Sequence, residues 1–376
     1  MSRGRILSGM RPTGRLHLGN YVGALENWVR LQNEGWQNFH MVADWHMLTT
    51  GYEDTRELQN DIAEMVLDWL AAGLDPKRSV IFVQSHVKQH AELHLLFSML
   101  VGKGALERNP TLKEQLRDLH MEESTITYGH LGYPVLQAAD ILLYKATAVP
   151  VGADQVPHVE LSREIARRFN YLYCKDRPPV LPEPEALLTA FPRLRGLDGQ
   201  RMSKSLGNTV LLADSPDEIA AKVQMAYTDP RKIRANDPGR PEADPSDGHP
   251  GCVVFEYHRK FNPPEVRAHL EKKGGTPAAP AKPAKGQRDE YLSPDDVGRA
   301  CRAGEIGCVW DKRYLANLLA ESLAGIRERR AEWARDPDRV QDVIADGDRR
   351  AEAVAEQTME EVRMAMGLAT RTAARR

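Results

Sequence analysis

"RILSGMRPTGRLHLGNYVGALENWVRLQ", residues 5–32, decides how the chain is read. Its opening, "RILSGM", is apolar and short enough for a buried strand. Beyond it Tyr21, Val22, Leu25, Trp28, Val29 and Leu31 recur as one helical stripe. Between the two lie Pro12, Gly14 and Gly19, the basic residues Arg11 and Arg15, and His17. The stretch predicts a strand, a tight turn and a helix start. Backbone N–H groups at a helix N-terminus, with the helix dipole behind them, favour an anion, and His17 adds a donor at that mouth. A capped turn with a solvent-facing histidine would use the same residues, so the segment alone leaves both readings open.

The pattern repeats. "NFHMVADWHMLT" (38–49) and "SVIFVQSHV" (79–87) are strand-like, and each precedes a helical stretch, 54–73 and 90–101. "LGYPVLQAADILLY" (131–144) predicts a helix starting after Pro134. "AVPVGADQVPHVELSREIARRF" (148–169) predicts a strand, a turn and a helix. Strands alternating with helices imply an α/β, Rossmann-like, doubly wound parallel sheet with ligands at the strand C-terminal ends. Residues 176–215 are rich in loop formers, and from Pro216 onward the patterns are helical. The expected division is a catalytic domain at 1–215 and an α-helical domain at 216–376. Within the latter, 274–287 is a flexible Pro/Ala/Lys insertion, 312–333 and 338–366 are two long helices, and "RTAARR" is a frayed tail.

The totals narrow the function. The chain has 376 residues, 51 basic and 53 acidic, for a formal charge of −2. That excludes a generally basic nucleic-acid coat but leaves room for local RNA contacts. No apolar run approaches transmembrane length and the N-terminus has no secretory core, so the expectation is a cytoplasmic protein with no membrane and no DNA partner. Four cysteines are too few for a disulfide framework.

The partner of "HLGN" is "RMSKS", Arg201–Ser205, about 180 residues later in a loop rich in Gly and Lys. Alone it reads as a solvated turn. With an anion-binding helix mouth on a parallel sheet, it reads as a second clamp over a triphosphate. Lys204 and Arg201 would neutralise a leaving pyrophosphate, and Ser203 and Ser205 would donate to its oxygens. A carboxylate attacker is already ionised, so no protein nucleophile or general base is needed. No Ser-His-Asp or Cys-His pattern is present.

"HLGN" and "RMSKS" resemble the two ATP-binding motifs of class I aminoacyl-tRNA synthetases. "SGMRPTG", "GNYVGAL", "YPVLQAADILLY" and "VPVGADQ" are similar to those of the tryptophanyl branch. The likeness runs in order from Ile6 to about Thr228 and resumes weakly in the C-terminal helices. It implies ATP with Mg²⁺, L-tryptophan and tRNA(Trp) as ligands and a homodimer as the assembly. By the resemblance His17, Gly19 and Asn20 contact the adenylate and Lys204 the pyrophosphate, with His17, Asn20 and Lys204 the catalytic set. Arg11, Thr13, Asp154, Arg201, Met202, Ser203 and Ser205 complete the ATP site. Tyr133 and Gln155 hold the amino acid's ammonium group, and Asp140 accepts from the indole N–H. His46, Gln137, Val151 and Leu7 line the pocket.

An indole has one donor and no acceptor, so one acceptor suffices. Leu7 is apolar where a phenol would need a second polar partner, which favours tryptophan. Arg11, Gln137, Ala153 and Arg201 depart from common residues of this branch, but none removes a group the chemistry requires. "CRAGEIGCVWDKR" (301–313) resembles the cysteine run of those relatives that hold a [4Fe–4S] cluster. Here Asp311 stands in the last cysteine position, and Cys252, Cys301 and Cys308 supply three thiols. Cluster, zinc or three plain cysteines all remain open. The anticodon would be read on the helical C-terminal domain, where "KRYLANLL" (312–319) and "RERRAEWARDPDR" (327–339) offer basic and aromatic groups. The competing readings are a tyrosyl-tRNA synthetase, a small-molecule nucleotidylyltransferase, and a non-catalytic paralogue binding tryptophan or RNA.

Overall fold

Arg5–Met10 forms β1, and the computed structural model of the protein describes residues 3–113, 126–188, 194–246, 248–274 and 290–368. β2 (Gln37–Val42), β3 (Ser79–Val83), β4 (Ala148–Val151) and β5 (Glu185–Leu188) join it in one all-parallel sheet of order β3-β2-β1-β4-β5. Strand order reverses between β1 and β4, where Ile6 pairs with Ala148. Ligands of such sheets bind beyond the strand C-termini at this switch point. Here those ends lead into "RPTG" (11–14) and "GADQ" (152–155). The doubly wound expectation holds.

Several local expectations need correction. The run 38–49 is strand only to Val42. Asp44 then opens α3 (Asp44–Gly51), so Trp45 and His46 are helical. The helix through "YPVLQAAD", α7 (Tyr128–Leu143), starts before Pro134. Thr127 caps it by accepting the His130 N–H at 3.1 Å, and the proline lies buried inside it. Burial of nearly the whole next two turns in the core, chiefly against the helices Gln89–Ser98 and Val156–Tyr173, outweighs the backbone bond that proline forfeits. β5, on the sheet edge, carries only "EALL" and was legible as neither strand nor turn. The stretch 312–333 is two helices, Cys308–Ser322 and Ala324–Ala334, broken at Leu323.

The chain gathers into two compact units. One contains Met1–Gly14, Ala24–Ala190 and Trp333–Arg376, and the other Arg15–Gly23 and Phe191–Glu332. The partition does not follow 1–215 and 216–376. "HLGN" and "RMSKS" sort with the helical unit, and the last long helix (Pro337–Ala365) sorts with the sheet. The reason lies in that helix's small-residue face. Gly347 lies so close to Ile81 that a Cβ would fall 1.7 Å from its carbonyl oxygen. Asp348 accepts the Val83 N–H at 2.9 Å, covering the open edge of β3. Ala351, Ala355, Met359 and Val362 then enter the core built by Phe39, Phe82, Phe97, Tyr144 and Phe169.

The second unit has its own core around Phe255, Val297, Trp310, Tyr314 and Leu318. The expected insertion, from residue 275 on, and the tail 371–376 lie outside the described residues. Among the described residues, no helix is long and apolar enough to cross a membrane.

Candidate active site

The helical unit holds the first constellation. His17 is the N-cap of a helical run that starts at Leu18 and passes through a π turn at Tyr21–Leu25. Its Nδ1 accepts the Asn20 N–H at 3.3 Å, and Asn20 Oδ1 accepts the His17 N–H at 3.1 Å. An accepting Nδ1 leaves the ring proton on Nε2. Burial, aided by the Lys204 charge, pushes His17 down to about 4, so at neutral pH it is an uncharged Nε2–H donor. Leu18 donates to the Val210 carbonyl at 2.9 Å, and Gly19 N–H donates to Met202 Sδ at 3.2 Å. The mouth is therefore not the open anion cradle the sequence suggested. Its donors are engaged, and the weakest acceptor among their partners is the sulfur of Met202.

The loop carrying Met202 is built, not a free turn. Asn208, buried, accepts the Ser203 N–H at 2.8 Å and donates to Asp198 Oδ1 at 2.8 Å and to the Arg201 carbonyl at 3.0 Å. Gly196 lets it in: a Cβ there would stand 2.4 Å from Asn208 Nδ2. Ser203 and Ser205 share a hydrogen bond of 2.9 Å, and the 3₁₀ turn Lys204–Leu206 ends on Gly207 at φ 64°. Arg201 and Ser205 are exposed and Lys204 half-buried. Sequence reasoning found "RMSKS" but missed Asn208 and Asp198. The available signal was an Asp and an Asn flanking a Gly-rich turn.

The sheet unit holds the second constellation, centred on Asp140. It is almost wholly buried on α7 and ionised: its hydrogen bonds from His46 and His90 outweigh burial and hold it well below the usual carboxylate range. His46 Nε2 donates to Oδ2 at 2.7 Å and His90 Nδ1 to Oδ1 at 2.6 Å. Gln84 Nε2 reaches Oδ1 at 2.9 Å and Oδ2 at 3.0 Å. Gln84 and His90 were missed, because β3 and the helix after it (Gln89–Ser98) read as scaffold.

Tyr133, two turns before Asp140 on the same helical face, receives a contact of 3.2 Å from His158 Nε2, while Asn109 Nδ2 lies 3.4 Å from His158 Nδ1. An Asn amide only donates there, so His158 Nε2–H donates to the Tyr133 oxygen. Burial pushes His158 down to about 4. Thr111 donates to the Asp154 carbonyl at 3.1 Å, tying the same segment to the turn Ala153–Gln155.

The remaining candidates scatter more. Gln155 Nε2 donates to the exposed Asp154 at 3.1 Å. Gln137 is the one half-buried position between Gly132 and Tyr144. Leu7 and Val151 sit in the sheet core. Arg11, exposed, donates to the Met47 carbonyl at 3.3 Å and to Thr50, and Thr13 is exposed beside it in sequence.

The cysteines of the second unit carry three readings, cluster, zinc or plain thiols, and the first two can be set against the geometry. Cys252, Cys301, Cys308 and Asp311 line one pocket with Lys232 and Lys312, but it encloses about 20 Å³, the room of a single water. Asp311 Oδ1 is taken by His258 Nε2 at 3.0 Å. Among the described residues, no three His, Cys, Asp or Glu side chains gather as a metal site. The set does not fit a [4Fe–4S] cluster or zinc.

The model of tRNA synthetases class I (W and Y) matches residues 2–273. A tryptophan–tRNA ligase of Thermotoga maritima is 48% identical, covering 97% of this chain and 99% of its own. One of Aquifex aeolicus is 43% identical, covering 97% and 100%. The crystal structure of a tryptophanyl-tRNA synthetase from Campylobacter jejuni, complexed with ADP and tryptophan, superposes at TM-score 0.75 and 27% identity, covering 97% of this chain and 100% of that one. A tyrosyl-tRNA synthetase of Archaeoglobus fulgidus, at 22% identity and TM-score 0.63, shares the fold. The chain belongs to the class I tRNA synthetases of the tryptophan and tyrosine type.

Proposed function

We propose that the chain is a tryptophan–tRNA ligase, in which ATP, entering as its Mg²⁺ complex, and L-tryptophan give tryptophanyl-adenylate. The observation that carries the nucleotide side is the meeting of the capped helix start with the "RMSKS" loop: Gly19 N–H on Met202 Sδ, and neutral His17 within the field of Lys204. The relatives named tryptophan–tRNA ligase match nearly end to end and supply the amino acid. ATP displaces the sulfur from Gly19 N–H and takes a phosphate oxygen there, with His17 Nε2–H as a second donor.

The tryptophan carboxylate attacks the α-phosphorus, the new O–P bond forms, and the bond to the β-phosphate oxygen breaks. The electron pair leaves with pyrophosphate, whose charge Lys204 and Arg201 neutralise. No proton moves in this step. A hydroxyl of the tRNA 3′-terminal adenosine then attacks the mixed anhydride carbonyl, AMP leaves, and the hydroxyl proton passes to solvent.

Asp140 accepts the indole N–H, while Tyr133 and Gln155 hold the ammonium group. Asp154 lies by the ribose, and Arg11, Thr13, Ser203 and Ser205 contact the nucleotide. His46, Gln137, Val151 and Leu7 bound the ring. The basic and aromatic residues between 312 and 339 read the anticodon of tRNA(Trp). The assembly is a cytoplasmic homodimer.

ATP–pyrophosphate exchange with tryptophan, with tyrosine and with no amino acid tests this reading. Exchange should require tryptophan and fall about 100-fold or more in Lys204→Ala. Exchange driven equally by tyrosine would remove the amino-acid assignment. Full activity of Lys204→Ala would remove the clamp.

A further inference from the structure

A carboxylate offers about four acceptor positions, and around Asp140 the protein occupies them unequally. The His90 side chain is 0% exposed, that of His46 is 12% exposed, and Gln84 is fully buried. Two of the donors are locked from behind. A carboxylate only accepts, so Gln84 must present its Nε2 to Asp140. Its Oε1 then accepts the Trp45 N–H at 3.1 Å and the His46 N–H at 3.4 Å, at the start of α3. The same side chain therefore aims Asp140 and anchors the turn that carries His46. His90 must likewise present Nδ1–H, and its Nε2 meets the Tyr144 hydroxyl at 2.8 Å. Tyr144 is wedged against Phe39 at 5.0 Å between ring centres, so the imidazole cannot swing. Only His46 reaches the surface.

Resting on the reading of Asp140 as the indole acceptor, we infer that Gln84 and His90 are positioning residues for amino-acid selection: they clamp the Asp140 carboxylate so that the His46 position on Oδ2 is the one an incoming N–H can take. His46 yields its bond to the ligand, and the two buried donors keep the carboxylate charged and aimed while it does. Discrimination against a ring without an N–H then comes from leaving that oxygen unpaired in a buried place. The relevant ligand chemistry is one N–H on a flat bicyclic ring.

The test uses the full chain in ATP–pyrophosphate exchange with two amino acids, L-tryptophan and its sulfur isostere L-3-(3-benzothienyl)alanine, which lacks the N–H. Wild type should prefer tryptophan in kcat/KM. Gln84→Met keeps the volume and removes the bonds. It should raise KM for tryptophan about tenfold, change kcat less, leave the isostere nearly unaffected, and so shrink the preference about tenfold. His90→Asn, which keeps a donor near the Nδ1 position, should retain more of the preference than His90→Leu, and this pair decides the matter if Gln84→Met does not fold. A folded Gln84→Met that loses both amino acids equally, or a His90→Leu with wild-type preference, would overturn the inference while leaving Asp140 as acceptor. No preference in wild type would overturn the acceptor reading itself.

Discussion

Asn208 shows how much one buried amide can organise. It satisfies a backbone N–H, a backbone carbonyl and a carboxylate across the loop that presents Met202 and Lys204. Asn208→Ala leaves three groups without their partner and removes the brace between the two ends of the loop. The buried bonds are worth about 1 kcal/mol each in such a setting. Thermal melting should fall by a few degrees, while KM for ATP rises about tenfold and KM for tryptophan stays put. Equal loss for both substrates would mean that the loop does not depend on this amide. At this scale the sequence was informative where chemistry has a short pattern: His17, Lys204 and Asp140 stand in motifs. Asn208, Gln84, His90, His158 and Asn109 do not. Each acts by approaching another segment, Gln84 across 56 positions to Asp140 and Asn109 across 49 to His158. Nothing in one dimension marks such a pair.

Gly347 decides where the last long helix, Pro337–Ala365, can lie. Its helix has a legible apolar stripe, Val340, Ile344, Ala351, Ala355, Met359 and Val362, all buried. The stripe predicts a helix and says nothing of what it packs on, which is why the sequence places this helix with 216–376 while in the structure it packs with the sheet. What decides is the absent side chain at 347, which lets the helix lie on the backbone of β3, and the carboxylate beside it, which caps Val83. Asp348 Oδ2 also pairs with His86 Nδ1 at 2.6 Å, and that bond raises the His86 pKa. Gly347→Ala should therefore push helix and strand apart and cost about 2–4 kcal/mol. Gly325→Ala is the control: its Cβ would meet only the far end of Arg329, at 3.3 Å. It should be neutral or stabilise the chain by up to about 1 kcal/mol, the ordinary helix preference for alanine. Urea midpoints of the two variants check this, and a tolerated Gly347→Ala would mean that the helix does not lie on β3 as described. β5 and the break at Leu323 were missed for a related reason. Four residues at a sheet edge, or one residue between two helices, carry too little pattern to outvote their surroundings.

Over the whole molecule, the buried histidines set a common acid limit. Burial pushes His40 down to about 3 and His158 to about 4, and burial with Lys204 holds His17 at about 4. Each titrates near 6.5 when unfolded. Below that value the unfolded chain takes up protons the native state refuses, so stability falls as pH falls, down to the folded values. Each group contributes about 1.4 kcal/mol per pH unit in that window, so the three together contribute about 4. His86 works in the opposite sense: its raised pKa gives stability that is complete below 6.5 and lost as pH rises through the folded value. Asp140, held low, gives up its contribution only below about 3.9, so it does not enter this window.

Urea midpoints should then drop steeply from pH 6.5 to 4.5, early enough to unfold a chain of ordinary stability before its carboxylates protonate. His40 separates this cause from others. Both its ring nitrogens are buried without a hydrogen-bond partner, and the ring stacks on Trp28 at 4.5 Å. An apolar ring of similar shape forfeits no bond there and has no proton to gain. His40→Phe should match wild type at pH 7.5, exceed it at pH 5, and flatten the profile. A profile parallel to that of wild type would show that acid enters the fold elsewhere.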